Sequence, residues 1–153
     1  MARERTETQD LQDLSREAER AARSKRLSVT ILSFGYKTGS PPVANVVFDV
    51  RFLKNPYWVP ELRPLTGLDL AVRDYVLGQE AAAEFLDSLL KLLSGLLPRF
   101  MELDILEFSI ALGCTGGQHR SVALVEELAD KLRDIFPSYD IESGHRELGE
   151  VQP

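Results

Sequence analysis

The stretch from Leu103 to Phe136 restricts the possible folds more than any other part of the chain. Leu103 to Leu112 has the apolar-rich pattern of a strand, and Gly113 to Gln118 is a glycine-containing turn. Ser121 to Phe136 then places Val122, Val125, Leu128, Ala129 and Leu132 on one helical stripe. A strand feeding a tight glycine loop and then a helix is the arrangement of an α/β anion site. Missing Cβ atoms let backbone amides converge, and the helix adds the positive end of its dipole. The expected fold is therefore α/β: a single small three-layer-like domain with a central, mostly parallel sheet and a strand–Gly loop–helix anion site.

The rest of the chain fits that frame. Leu27 to Phe34 is a β-branched run closed by Gly35, the first strand, and Asn45 to Phe52 is a second. In the second strand, alternation sends Asp49 and Arg51 to one face and Phe48, Val50 and Phe52 to the other. Residues 53–66, with Pro56, Pro60 and Pro64 around Tyr57 and Trp58, read as an irregular loop whose aromatics pack it onto the core. Asp69 to Tyr75 reads as a short helix. Glu80 to Leu97 reads as a longer one, with Phe85, Leu86, Leu89, Leu90, Leu93 and Leu97 at helical spacing and Pro98 ending it. A last short strand is expected over Ser138 to Ile141. The domain proper spans 27–144, preceded by a charged helical or disordered leader, 1–26, and followed by a flexible tail, 145–153.

At 153 residues the chain has room for one sizeable core, and 44% hydrophobic residues exclude a disordered chain. Cys114 is the only cysteine, which excludes an internal disulfide and suits a reducing compartment; no apolar run approaches the roughly 18 residues of a membrane span. A cytoplasmic location is expected. The net charge of −6 opposes a polyanion unless cations gather locally. No metal-ligand spacing, Walker A motif or Gly-x-Gly-x-x-Gly occurs, so neither metal nor cofactor is expected.

Candidate chemistry concentrates in residues 114–121. Gly116 and Gly117 free the backbone to approach an anion, Arg120 offers a two-pronged donor, and Thr115 and Ser121 offer hydroxyls. His119 suits donation or proton transfer near neutral pH, or equally a capping role. Cys114 to Arg120 also has the Cys-x5-Arg spacing, followed by Ser, of cysteine-dependent phosphatases, with Asp49 the one nameable general acid. That leaves a catalytic alternative using Cys114, Arg120 and Asp49.

Four blocks carry a wider resemblance: residues 33–39 (SFGYKTG), 47–58 (VFDVRFLKNPYW), 61–67 (ELRPLTG) and 113–122 (GCTGGQHRSV). In order and spacing they resemble the C-terminal domain of the RNase adapter protein RapZ, without that family's N-terminal P-loop domain, as a stand-alone copy. The resemblance implies a non-catalytic domain that binds an amino-sugar phosphate of the glucosamine-6-phosphate type, in some members presenting small RNAs to an endonuclease. Carried over, it implies a homo-oligomer and ligand contacts from Asp49, Arg51, Cys114, Thr115, Gly116, His119 and Arg120, to which the loop chemistry itself adds Gly117 and Ser121. Asp49 is the natural partner for a sugar ammonium, or else for Arg51 alone. Two departures stand out. Tyr57 occupies a position where RNA-binding members carry His, and the basic tail those members use is absent. An RNA or protein partner would rest on Lys37 and Arg120, with Arg51, Lys54 and Arg63 completing a basic patch.

Overall fold

The structure, a computed structural model, describes residues 2–149. Helix α1 (Ala2–Ser24) leads into strand β1 (Ser28–Gly35), followed by β2 (Val46–Asp49), α2 (Leu70–Leu77), α3 (Glu80–Glu102), β3 (Glu107–Cys114), α4 (Arg120–Ile135) and β4 (Asp140–His145). The four strands order as β2-β3-β1-β4 and every pairing is parallel, so the expected α/β class around a parallel sheet is what forms. Parallel pairing has a direct consequence for function: Gly35, Asp49, Cys114 and His145 all end their strands at the same edge of the sheet, where ligands of open α/β sheets bind.

The core lies between the sheet and α2–α4. Val29 and Ile31 from β1 meet Phe108, Ile110 and Leu112 from β3 and the stripe Leu86, Leu89, Leu93 and Leu97 of α3. Each such side chain contributes roughly 1.5–3 kcal/mol on burial. The opposite face is polar, with Ser28, Asn45 and Glu107 exposed and Thr30 and Ser109 half-buried. In α1 the side chains of residues 7–19 are exposed, Leu11 and Leu14 included. No helix among the described residues is long and apolar enough to cross a membrane.

Three boundaries differ from expectation. Pro98 does not end α3, which runs on to Glu102. The ring removes only one backbone bond, and Phe100 and Met101 beyond it pack against the core. Helix therefore takes Leu103's flank, Asp104 turns the chain at φ 56°, and β3 starts at Glu107. The second strand stops at Asp49, because Val50 to Leu53 turns away with Val50 and Leu53 buried. The last strand is longer and later than expected, and residues 145–148 of the supposed flexible tail are held. Glu147 accepts from the Gly35 amide at 2.7 Å, while Arg146 donates to the carbonyls of Ser40 and Gly35 at 2.6 and 3.1 Å. The rest of that tail, 150–153, lies outside the described residues.

Candidate functional site

Residues 115–119 join β3 to α4 at the carboxyl edge of the sheet. The carbonyls of Cys114, Thr115 and Gln118 face outward and accept from the amides of Tyr36, Lys37 and Gly67 at 2.9–3.0 Å. Among the described residues, no acceptor takes a hydrogen bond from the amides of residues 115–119. A loop with these three carbonyls engaged and its amides free can cradle an anion. Gly117 makes the turn possible: its φ is +68°, and a Cβ there would lie 2.7 Å from the Gly35 nitrogen.

Arg120 is the decisive side chain. It is 5% exposed, and its Nη1 donates to the carbonyls of Arg51 and Leu53, each at 3.0 Å. Nη2 reaches Thr115 Oγ1 at 3.3 Å, and the buried Nε has no partner among the described residues. Nor does Arg120 form an ion pair with any described carboxylate within 4.0 Å. Nε, one of the two donors with which an arginine grips an oxyanion in two-pronged fashion, is thus left unpartnered on a buried cation. Burying a charge without a counter-charge is costly, and an anion beside Arg120 would offset that cost.

Around that edge lies a cavity of about 370 Å³. Loop residues Cys114, Thr115, Gly116, Gln118, His119 and Arg120 line it together with Lys37, Asn55, Tyr57 and Trp58. Other residues singled out in the sequence stand apart from this lining. Ser121 is fully buried, its hydroxyl 3.1 Å from Cys114 Sγ, and Gly117 backs onto β1. Asp49 is gripped by Arg51 through contacts of 2.6–3.0 Å, and the guanidinium of Arg51 lies 4.1 Å over the Tyr36 ring. Hydrogen bonding from Arg51 holds the Asp49 carboxyl below its usual range, so it is ionised at neutral pH.

His119 has a structural task. Its Nε2 donates to the carbonyls of Leu62 and Arg63, both at 3.2 Å, and burial lowers its pKa so that the ring is neutral. Gln118 fastens the same segment through Arg63 and Leu65 carbonyls at 3.1 and 2.8 Å. The expectation that Tyr57 and Trp58 pack their loop onto the core is overturned. Pro56, Leu53, Leu62 and Leu65 do the packing, while Trp58 is 74% exposed and Tyr57 stacks edge-on against it with Arg63 over its ring. Of the supposed basic patch, Lys37 and Arg120 share the cavity, whereas Arg51 and Arg63 are engaged elsewhere. Asn55 and Gln118 lack any sequence signal beyond adjacency to the Pro-Tyr-Trp and glycine segments.

A larger cavity, about 630 Å³, runs along β4 and α4. Its polar groups satisfy one another: Glu126 accepts from His145 and Ser143 at 2.6 and 3.0 Å, and Arg133 donates to the Ile141 carbonyl. Of these two, the smaller cavity has the buried cation without a described counter-charge in its lining, which makes it the candidate site.

Comparison with known proteins agrees with the position of this loop inside a shared domain. A family model described as the RapZ C-terminal domain matches residues 27–149. A protein of a Nocardioides species named nucleotide-binding protein is 51% identical over 124 residues, covering 81% of this chain and 40% of the relative. Proteins of the same name from Thermobifida fusca and Saccharopolyspora erythraea are 51% and 52% identical, covering 84% and 82% of this chain and 43% of each relative. The chain thus spans about two fifths of the length of these curated relatives.

Proposed function

The chain belongs to the RapZ C-terminal domain family, and from that premise we propose that it is an adapter-like sensor domain whose cradle at residues 114–120 holds the phosphate of a small phosphorylated amino sugar of the glucosamine-6-phosphate type. The observation that carries this reading is Arg120, buried, without a carboxylate partner among the described residues and with its Nε unpartnered, beside loop amides that no described acceptor takes. The amides and the guanidinium receive the phosphate, and Lys37 supplies a second cation at the rim. The exposed faces of Tyr57 and Trp58 opposite suit the apolar face of a sugar ring.

For Asp49 to meet the sugar ammonium, its carboxylate has to be shared with Arg51, which already occupies both oxygens. The ammonium then adds to an existing pair instead of filling a vacancy. The relatives' name concerns nucleotides, but the matched residues contain neither a Walker A motif nor Gly-x-Gly-x-x-Gly, which favours a phosphate seat without nucleotide recognition in this domain.

A thermal-shift panel of sugar phosphates tests the reading. A ligand at a hundredfold above its dissociation constant raises stability by about 2.7 kcal/mol. Stabilisation by glucosamine-6-phosphate above glucose-6-phosphate supports the amino-sugar assignment. Stabilisation by other phosphates alone removes the identity and keeps the seat; no response to any phosphate removes both.

A partner reading is favoured by one further observation, the exposure of Trp58 beside Lys37 at the cavity rim. Base stacking on Trp58 with phosphate contacts to Lys37 is the chemistry of single-stranded RNA. RNA affinity that falls steeply with added salt supports it, and salt-independent binding points to a protein partner.

A further inference from the structure

Two residues outside the cavity lining hold the backbone on which the loop at 115–119 rests. Strand β4 ends at His145, opposite Ser33 and two residues short of Gly35. Tyr36 gives its amide to the Cys114 carbonyl on the β3 side, so alternation sends the Gly35 amide to the β4 side, where the strand has already ended. The Glu147 side chain takes the place of the missing carbonyl and accepts from that amide at 2.7 Å. Arg146 completes the hold. Its Nη2 joins Thr38 Oγ1 on the Gly35 carbonyl, each at 3.1 Å, and its Nη1 donates to the Ser40 carbonyl at 2.6 Å. The turn after β1 is therefore fixed at residues 35 and 40, with the cavity-lining Lys37 between them.

Gly35 in turn lies directly against the loop. A Cβ on Gly35 would fall 2.6–2.9 Å from Gly116 C and O and Gly117 N. One on Gly117 would fall 2.7 Å from the Gly35 nitrogen and 3.1 Å from Glu147 Cγ. Backbones packed this closely shift together, so any movement of Gly35 displaces the 116–117 peptide and the Gly117 amide with it. The Lys37 amide ties the same turn to the Thr115 carbonyl at 3.0 Å.

Resting on the phosphate-seat reading, we infer that Arg146 and Glu147 are positioning residues for the anion site: through Gly35 they fix the Gly116–Gly117 peptide and the Lys37 turn in the arrangement that receives a phosphate. Neither residue lines the cavity, so their effect passes through the backbone and not through contact with the ligand. Arg146 Nε, 3.2 Å from both Glu147 oxygens, offsets the negative charge that Glu147 brings behind the loop. Linkage is reciprocal, so an anion bound at the loop also tightens the strap at residues 145–149.

The test pairs titration calorimetry against inorganic phosphate with hydrogen exchange of the 145–149 peptide, measured with and without inorganic phosphate. Glu147→Ala is expected to bind phosphate more weakly by on the order of 10-fold, and Arg146→Ala to weaken binding in the same direction. Glu147→Gln keeps an oxygen for the Gly35 amide and is expected to stay close to wild-type affinity. Phosphate should slow exchange at 145–149 in the wild type and leave it unaltered in Glu147→Ala. A folded Glu147→Ala with wild-type affinity overturns the inference even if its melting temperature falls, because the strap then serves the fold alone. An equal loss in Glu147→Gln, or exchange at 145–149 that ignores bound phosphate, overturns it too. Should Glu147→Ala fail to fold, the exchange measurement on the wild type decides. In each of these cases phosphate still binds the wild type and the seat stands; if it does not bind the wild type, the seat falls and the inference with it.

Discussion

Replacing Arg120 with Lys separates the anchoring that the structure shows from the phosphate grip proposed for the same side chain. Arg120 Nη1 ties the Arg51 and Leu53 carbonyls, and its Nε is left unpartnered, the donor that the proposed function gives to a phosphate. A lysine keeps the charge but ends in one nitrogen, so it can preserve at most part of the carbonyl anchoring and loses the two-pronged grip. Losing one charge-assisted bond of the anchoring pair costs about 1.5–3 kcal/mol in the ligand-free protein. For a domain of this size that is a drop of roughly 5–10 °C in melting temperature. Losing the fork costs a further 1.5–3 kcal/mol of phosphate affinity, about 10–100-fold in dissociation constant. Differential scanning fluorimetry of the ligand-free variant and isothermal titration with glucosamine-6-phosphate measure the two separately. An unchanged melting temperature refutes the anchoring role, and unchanged affinity in a folded variant refutes the clamp.

Gly117→Ala is expected to destabilise by about 1–3 kcal/mol and to weaken phosphate binding, since φ is +68° and the new Cβ meets the β1 backbone at 2.7 Å; urea unfolding and titration check both effects. Leu93→Ala is expected to cost about 2–5 kcal/mol by urea unfolding with phosphate affinity retained, because Leu93 is fully buried within the core cluster and away from the cradle lining. For pH dependence, His119 has a folded pKa depressed below its ordinary 6.5, so the unfolded chain takes up the proton first. Ligand-free stability should therefore decline as pH falls below 6.5 toward the lower folded pKa and level off beneath it. Melting curves in phosphate-free buffer test this, with a flatter profile expected for His119→Asn. Asp49 and Glu147, both depressed, act lower. Their contributions are complete above the ordinary values of 3.8 and 4.5 and are lost as pH falls through the folded pKa values.

The sequence alone determined what short-range chemistry controls. The glycine loop between an apolar strand and an amphipathic helix was legible because loop, strand and helix each depend on residues adjacent in the chain, and the stripe of α3 was legible from its spacing. The four blocks that resemble one family identified the domain family, whose model matches residues 27–149. Long-range contacts decided the rest. That Arg120 anchors the segment after β2 with one nitrogen and leaves its Nε unpartnered depends on carbonyls 67 and 69 residues away. Asp49 pairs with Arg51 and not with Arg120 because the turn after β2 brings the former pair together. His119 became a strut because the 62–65 segment folds back over the loop, and residues 145–148 became a strap because the β1 edge offers them Gly35. Each outcome turns on which buried polar group finds a partner across the fold. Local propensity does not record that choice, since the cost of an unpaired buried group arises only once the sheet has brought distant segments together.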